Sequence, residues 1–96
     1  MATLYTWDPK KAAINLRKHG VTFERAVRIF EGFTVQYQDE RYDYEEIREI
    51  AVGAVEGEEI VVVFTDVSDQ ERRIISARGA KRSEREAYWH ARRRYD

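Results

Sequence analysis

The chain has 96 residues, 43% hydrophobic and 36% charged, which suits one compact domain with a modest core and leaves too little for a second. A formal net charge of -1 excludes a polycation that coats nucleic acid nonspecifically, and the lack of cysteine excludes a disulfide framework or a thiolate metal centre. The opening residues are too short and polar for a secretory signal, and the longest apolar run, Ile60-Val61-Val62-Val63-Phe64, cannot cross a bilayer, so a soluble cytoplasmic protein without membrane partners is expected.

Residues 3–7 alternate weakly and are rich in Thr and aromatics, which predicts a short strand at a sheet edge. Asp8 then stands where a side chain caps free N–H groups, and Pro9 where a missing N–H costs nothing. Ala12, Ala13 and Leu16 recur on one face until Gly20, so a helix is predicted over 9–19. Thr22 caps a second helix with the apolar stripe Phe23, Ala26, Val27 and Phe30, and Gly32 terminates it. The two make a helical hairpin that must lie on an apolar surface.

From Phe33 the period becomes two. Phe33, Val35 and Tyr37 alternate with Thr34, Gln36 and Gln38, and this strand runs into an acidic loop, residues 39–46, with five acids and one Arg. Strands follow over 47–55, 59–67 and 72–78, joined by Glu56-Gly57-Glu58 and Ser68-Asp69-Gln70, both short enough for antiparallel hairpins. The run over 60–64 is apolar on both faces and belongs at the centre of the sheet. Beyond it the chain turns basic, with nine Arg or Lys against two Glu over residues 72–95. Gly79 reads as a turn, Ser83 and Glu86 fit a capping box, and Glu84, Ala87, Tyr88, Ala91 and Tyr95 share one stripe of a last helix. The order predicts an α+β domain: two N-terminal helices and a C-terminal helix packed with a mainly antiparallel twisted sheet of four to five strands. Helices are expected on one face and the other face is expected to be partly open.

Segments spread over nearly the whole chain are similar, in order, to the BrnT family of bacterial toxins. They are Trp7-Asp8-Pro9-Lys10-Lys11-Ala12, Asn15, Lys18-His19-Gly20-Val21-Thr22-Phe23-Glu24-Arg25-Ala26, Arg48 five residues before Gly53, and Arg73-Ile74-Ile75-Ser76-Ala77-Arg78 through Glu84 and Tyr88. The resemblance implies a small ribonuclease toxin with a RelE-like fold that inhibits translation and is neutralised by a DNA-binding BrnA-type antitoxin. Together the two would repress their own operon, so operator DNA would be touched only through the antitoxin. One position departs from the family, because Asp66-Val67 follows Thr65 where a basic residue is common.

Cleaving RNA without a metal or cofactor requires removing the 2′-OH proton, stabilising a phosphorane and protonating the leaving 5′ oxygen. Arg78 and Arg48, both on predicted strands, are candidates to hold one scissile phosphate. Glu84, Tyr88 and His19 are candidates to move protons, and Lys18, Lys81, Arg82 and Arg85 to bind RNA. Each has a structural alternative. Lys18 and His19 suit a helix C-terminus, Arg48 can pair with the acidic loop, Glu84 suits a first helical turn, Tyr88 can be packing, and Arg78 can be a solvated strand end. His90 has no companions at metal-ligand spacing. The Arg92-Arg93-Arg94 run can be a solvated face, an RNA contact or a surface for an acidic antitoxin segment. A nucleic-acid-binding module that breaks no bond and a structural subunit completed by another chain stay open as alternatives.

Overall fold

The computed structural model describes residues 3–41 and 43–95. Asp8 accepts a hydrogen bond from the Lys10 N–H at 2.8 Å, Pro9 follows, and helix α1 (Pro9–His19) runs to Gly20. Gly20 adopts φ 71°, and its N–H donates to the Leu16 carbonyl at 2.8 Å, a left-handed stop that a residue without Cβ makes at no steric cost. The Thr22 hydroxyl accepts from the Arg25 N–H and opens helix α2 (Phe23–Ala26). This helix lasts a single turn and tightens into a 3-10 helix (Val27–Glu31), where the sequence predicts continuous α-helix. The tightening presses Ile29 onto the sheet at Gly53. A Cβ at Gly53 would sit 2.6 Å from the Ile29 Cβ, so the contact needs glycine there.

The five strands are β1 (Leu4–Thr6), β2 (Val35–Gln38), β3 (Glu49–Val55), β4 (Glu58–Ser68) and β5 (Glu71–Gly79), and helix α3 (Arg82–Tyr95) closes the chain. They lie in the order β1-β5-β4-β3-β2, with β1 parallel to β5 and every other pair antiparallel. The expected central strand is β4, and its alternate residues feed two separate cores. Ile60, Val62 and Phe64 join Phe23, Ile29 and Ile74 under α2 and the 3-10 turn. Val61 joins Ile50, Val52 and Tyr88 on the other face. The arrangement corrects the expectation that all helices share one face. α3 lies opposite α1 and α2, because those elements already cover one apolar face and Tyr88, an aromatic on a narrow stripe, fits the apolar floor left on the other. Among the described residues no helix is long and apolar enough to cross a membrane.

Because β1 pairs only with residues 71–73, the rest of β5 has no strand on its outer side. Asn15 of α1 supplies what a strand would. Its amide donates to the Ala77 carbonyl at 2.8 Å and accepts from the Ala77 N–H at 3.1 Å, and its amide nitrogen also donates to the Val21 carbonyl at 3.1 Å. Asn15 is one of two buried polar residues described, and these bonds are what make its burial tolerable. Asn15→Ala would leave three buried backbone groups without partners, and stability should fall by roughly 2 to 4 kcal/mol in urea unfolding. A change under about 0.5 kcal/mol would show that water replaces the amide.

Candidate functional site

Register fixes what shares the α3 face of the sheet. Tyr37 pairs with Ile50, Ile50 with Val63 and Val63 with Ser76, so these side chains form one row across four strands. The neighbouring row is Val35, Val52, Val61 and Arg78. Tyr88 packs over Val52 and Val61 of the second row and reaches Ile50 of the first, while Tyr37, Ser76 and Arg48, on the half of the face beyond, stay partly or fully exposed. Arg78 stands at the boundary.

Its guanidinium forms a two-point bond with Glu84, Nη1 to Oε1 at 2.8 Å and Nη2 to Oε2 at 2.7 Å, and Nη1 also donates to the Gly79 carbonyl at 3.2 Å. Of the five N–H donors of an arginine, Glu84 takes two and Gly79 one, so one on Nη2 and the one on Nε have no partner among the described residues. These two lie on one edge of the guanidinium and form the fork that fits a phosphate or carboxylate side-on. Glu84 Oε1 also accepts the Lys81 N–H at 2.7 Å. With Lys81 at the N-cap and Glu84 three residues on, this is the acid's half of a capping box. The expected box on Ser83 and Glu86 is therefore corrected by two residues. The helix begins at Arg82 because Arg78, at the end of β5, draws Glu84 back toward the strand, and Glu86 pairs instead with Arg82 at 2.9 Å. Gly79, read as a turn, is the last residue of β5 and has no positive φ. The Arg78 side chain, with the Lys81 N–H adding to it, pulls the Glu84 carboxyl from 4.5 to about 2 against the cost of its burial.

The other predicted residues are placed less centrally. Tyr88 is buried, its hydroxyl donates to the Phe33 carbonyl at 3.2 Å, and burial pushes its pKa up, all of which fits its packing role. His19 and Lys18 are exposed at the end of α1, in a shallow depression with Ile75 and Ser76 that includes neither Arg78 nor Glu84. Lys81, Arg82 and Arg85 are exposed around the start of α3, where Arg85 Nη1 donates to the Ala80 carbonyl at 2.7 Å. Among the described residues no three His, Asp or Glu side chains are grouped as metal ligands.

Arg48 shares the face but not the phosphate position of Arg78. It precedes Glu49, which pairs with Phe64, whereas Arg78 pairs with Val61, so the two arginines are ~13 Å apart along the strands and two strands apart across them. Arg48 is held by its own neighbours, with Nε 2.9 Å from Glu46 Oε1 and the guanidinium 4.0 Å from the centre of the Tyr44 ring. Sequence reasoning could not see this separation, which depends on strand order.

Sequence reasoning also passed over Asp39, Arg41 and Tyr37. The Asp39 side chain is fully buried, receives both Nε and Nη2 of Arg41 at 2.9 Å, and also accepts the Arg41 N–H and the Tyr44 hydroxyl. The Arg41 side chain, ahead of these smaller contributions, lowers Asp39 from 3.8 to about 2. Asp39 thus holds Arg41 and Tyr44 by its side chain and, through its N–H to the Arg48 carbonyl at 2.8 Å, keeps Arg41 and Arg48 at the rim of the open half-face. The alternation of Val35, Tyr37 and Asp39 was the available signal. At the departure from the family pattern, Asp66 forms a two-point pair with Arg72, whose guanidinium lies over the Phe64 ring at 4.2 Å on the α2 side of the sheet.

Comparison with known proteins gives a consistent result. A family model described as the ribonuclease toxin, BrnT, of type II toxin-antitoxin systems matches residues 7–84. The 1.1 Å crystal structure of the Brucella abortus ribonuclease toxin, BrnT, superimposes with a TM-score of 0.65 at 26% identity, covering 83% of this chain and all of that one. No curated protein matches in sequence.

Both lowered carboxyls stabilise the fold above their unfolded values and cease to do so as pH falls from 4.5 for Glu84, or 3.8 for Asp39, toward about 2. Glu84→Gln should therefore unfold at lower urea than the parent at pH 7, and the gap should narrow by pH 3. A gap that stays constant with pH would mean that the ion pair adds nothing beyond its shape.

Proposed function

The chain belongs to the BrnT family of ribonuclease toxins of type II toxin–antitoxin systems, and from that premise we propose that it cleaves RNA through attack of a 2′-oxygen on the adjacent phosphate, with Arg78 as the cation that holds the phosphate. The observation that carries the reading is the partly occupied guanidinium. Glu84 fixes its end, and the Nε and Nη2 edge is left to take two non-bridging oxygens. A cation already oriented before substrate arrives needs no reorganisation as charge builds on the phosphorane.

In this reading the 2′-oxygen forms a bond to phosphorus as the 5′-oxygen leaves, giving a 2′,3′-cyclic phosphate and a 5′-hydroxyl. The proton lost from the 2′-OH goes to a base, and the leaving oxygen takes one from an acid. Glu84, held at about 2, is a weak base at neutral pH, so its part is to position Arg78. His19 and Tyr88 remain the proton-carrying candidates. Tyr88 would first have to give up its bond to Phe33, and His19 would have to be met by substrate draped over the β5 edge. Arg48 suits a neighbouring phosphate along the strand, and Lys18, Lys81, Arg82 and Arg85 suit more peripheral ones.

The family's type II arrangement implies an antitoxin. We take it to be a BrnA-type, DNA-binding protein that neutralises the toxin in the cytoplasm and joins it in repressing their operon. The exposed Arg93 and Arg94 are available to an acidic segment of such a partner.

Purified protein incubated with single-stranded RNA in EDTA should leave fragments ending in cyclic phosphate. Arg78→Ala should slow the cut roughly 100- to 1000-fold, and Arg78→Lys should recover little of this, because one ammonium cannot reproduce the fork. Equal cleavage by Arg78→Ala and the parent would remove Arg78 from the mechanism.

A further inference from the structure

A hollow of about 150 Å³ lies between the start of α3 and strands β2 and β3, with Tyr37 and Val52 on the sheet side, Glu84, Ala87 and Tyr88 on the helix side and Ser83 beside them. A cavity of this size is large enough for one aromatic ring. Its walls are mostly apolar or aromatic, and Glu84, which forms part of one of them, is the residue that holds Arg78. The hydroxyls of Tyr37 and Ser83 make no hydrogen bond within the described residues, although both residues are exposed. Tyr37 is 47% exposed on the edge strand β2, so its ring is open to a ligand. The Arg78 guanidinium, bound to Glu84 at 2.7 Å, stands beside the wall that Glu84 forms and places one cation next to the hollow.

We propose that this hollow takes one unstacked base of single-stranded RNA, laid against Tyr37, while Arg78 holds a phosphate of the same nucleotide. The inference rests on the ribonuclease reading and adds to it a binding site for the base. A nucleotide joins a flat apolar ring to an anion, which is the pairing that the hollow and Arg78 present; an apolar side chain of a protein would fill the hollow and leave the arginine fork unused. Ser83 offers a hydroxyl to the base edge, and it can donate or accept, while Tyr37 contributes its ring face. Tyr37 and Ser83 are thus recognition residues, separate from those that move protons.

The test is binding of a fluorescent single-stranded RNA whose 2′-hydroxyls are methylated, which removes the nucleophile and keeps the bases and phosphates. Ala87→Leu fills the hollow from an exposed helical position with a good helix former, Tyr37→Ala removes the platform and Tyr37→Phe keeps it. The parent and Tyr37→Phe should bind alike, while Tyr37→Ala and Ala87→Leu should bind roughly 10-fold more weakly, the scale of one lost base stack. Thermal melting should be unchanged. If Ala87→Leu melts lower, the Tyr37→Ala and Tyr37→Phe pair decides. Binding by Tyr37→Ala and Ala87→Leu at the parent's strength, the result expected of a hollow that serves a protein partner, overturns the proposal, as does failure of the parent to bind the strand. Failure of the parent to cut unmodified RNA while it binds the methylated strand counts against the ribonuclease reading and leaves the base site standing.

Discussion

The outer side of β5 is the constraint from which the rest of the molecule follows. β5 carries Arg78 at its end, yet its only strand partner on that side, β1, is three residues long. An unpaired strand edge invites other chains and leaves buried backbone groups unsatisfied. Asn15 closes it by offering a donor and an acceptor to the two backbone groups of Ala77, and the same amide ties down the Val21 carbonyl in the turn after α1. One side chain therefore fixes where α1 lies, where the turn into α2 begins and how far β5 can shift. Val21 and Phe23, which follow that turn, enter the core over β4 and β5. Without this anchor, the strand that aims Arg78 would be held from one side only.

The second organising feature is the pairing of charge. A net charge of -1 hides a set of arginines, each held by an acid at the rim of the open half-face: Arg78 by Glu84, Arg41 by Asp39 and Arg48 by Glu46. Exposed pairs of this kind add little stability. What they do is stop long side chains from moving, which matters when a phosphate must be met by donors already in place. Asp39 is the extreme case, because a buried carboxylate is costly and is kept ionised here by Arg41 and Tyr44. The acidic loop that looks like a counterweight in the sequence thus holds two of these arginines in place.

The two faces of the sheet divide the work. Under α2 and the 3-10 turn, the core is sealed by Phe23, Ile29 and Phe64, and the close approach of Ile29 to Gly53 leaves no room for movement there. Opposite, α3 rests on a smaller cluster through Tyr88 and leaves half the face to solvent. The larger core lies on the first face, and the second carries Arg78 and Arg48. Tyr88 packs among Phe33, Val52 and Val61 and is the main contact between α3 and that face.

What the sequence determined by itself is whatever depends on neighbours in the chain. Asp8, Pro9 and Gly20 bound α1, Thr22 opens α2, the two hairpin turns set antiparallel strands, and the run over 60–64 marks the central strand, because caps, turns and periodicity are local properties. The motifs around Asn15, His19 and Arg78 were enough to indicate the family. Tertiary structure decided the rest. The face on which α3 lies was not legible, since a thin stripe of Ala and Tyr fits either side until the floor beneath Tyr88 is known. The cap of α3 moved to Lys81 and Glu84 because Arg78, on another element, pulls on Glu84. Arg48 and Arg78 could not be seen to stand apart, because their spacing depends on the register of three strands, and Tyr37 becomes notable only when β2 is paired with β3 and α3 is laid above them.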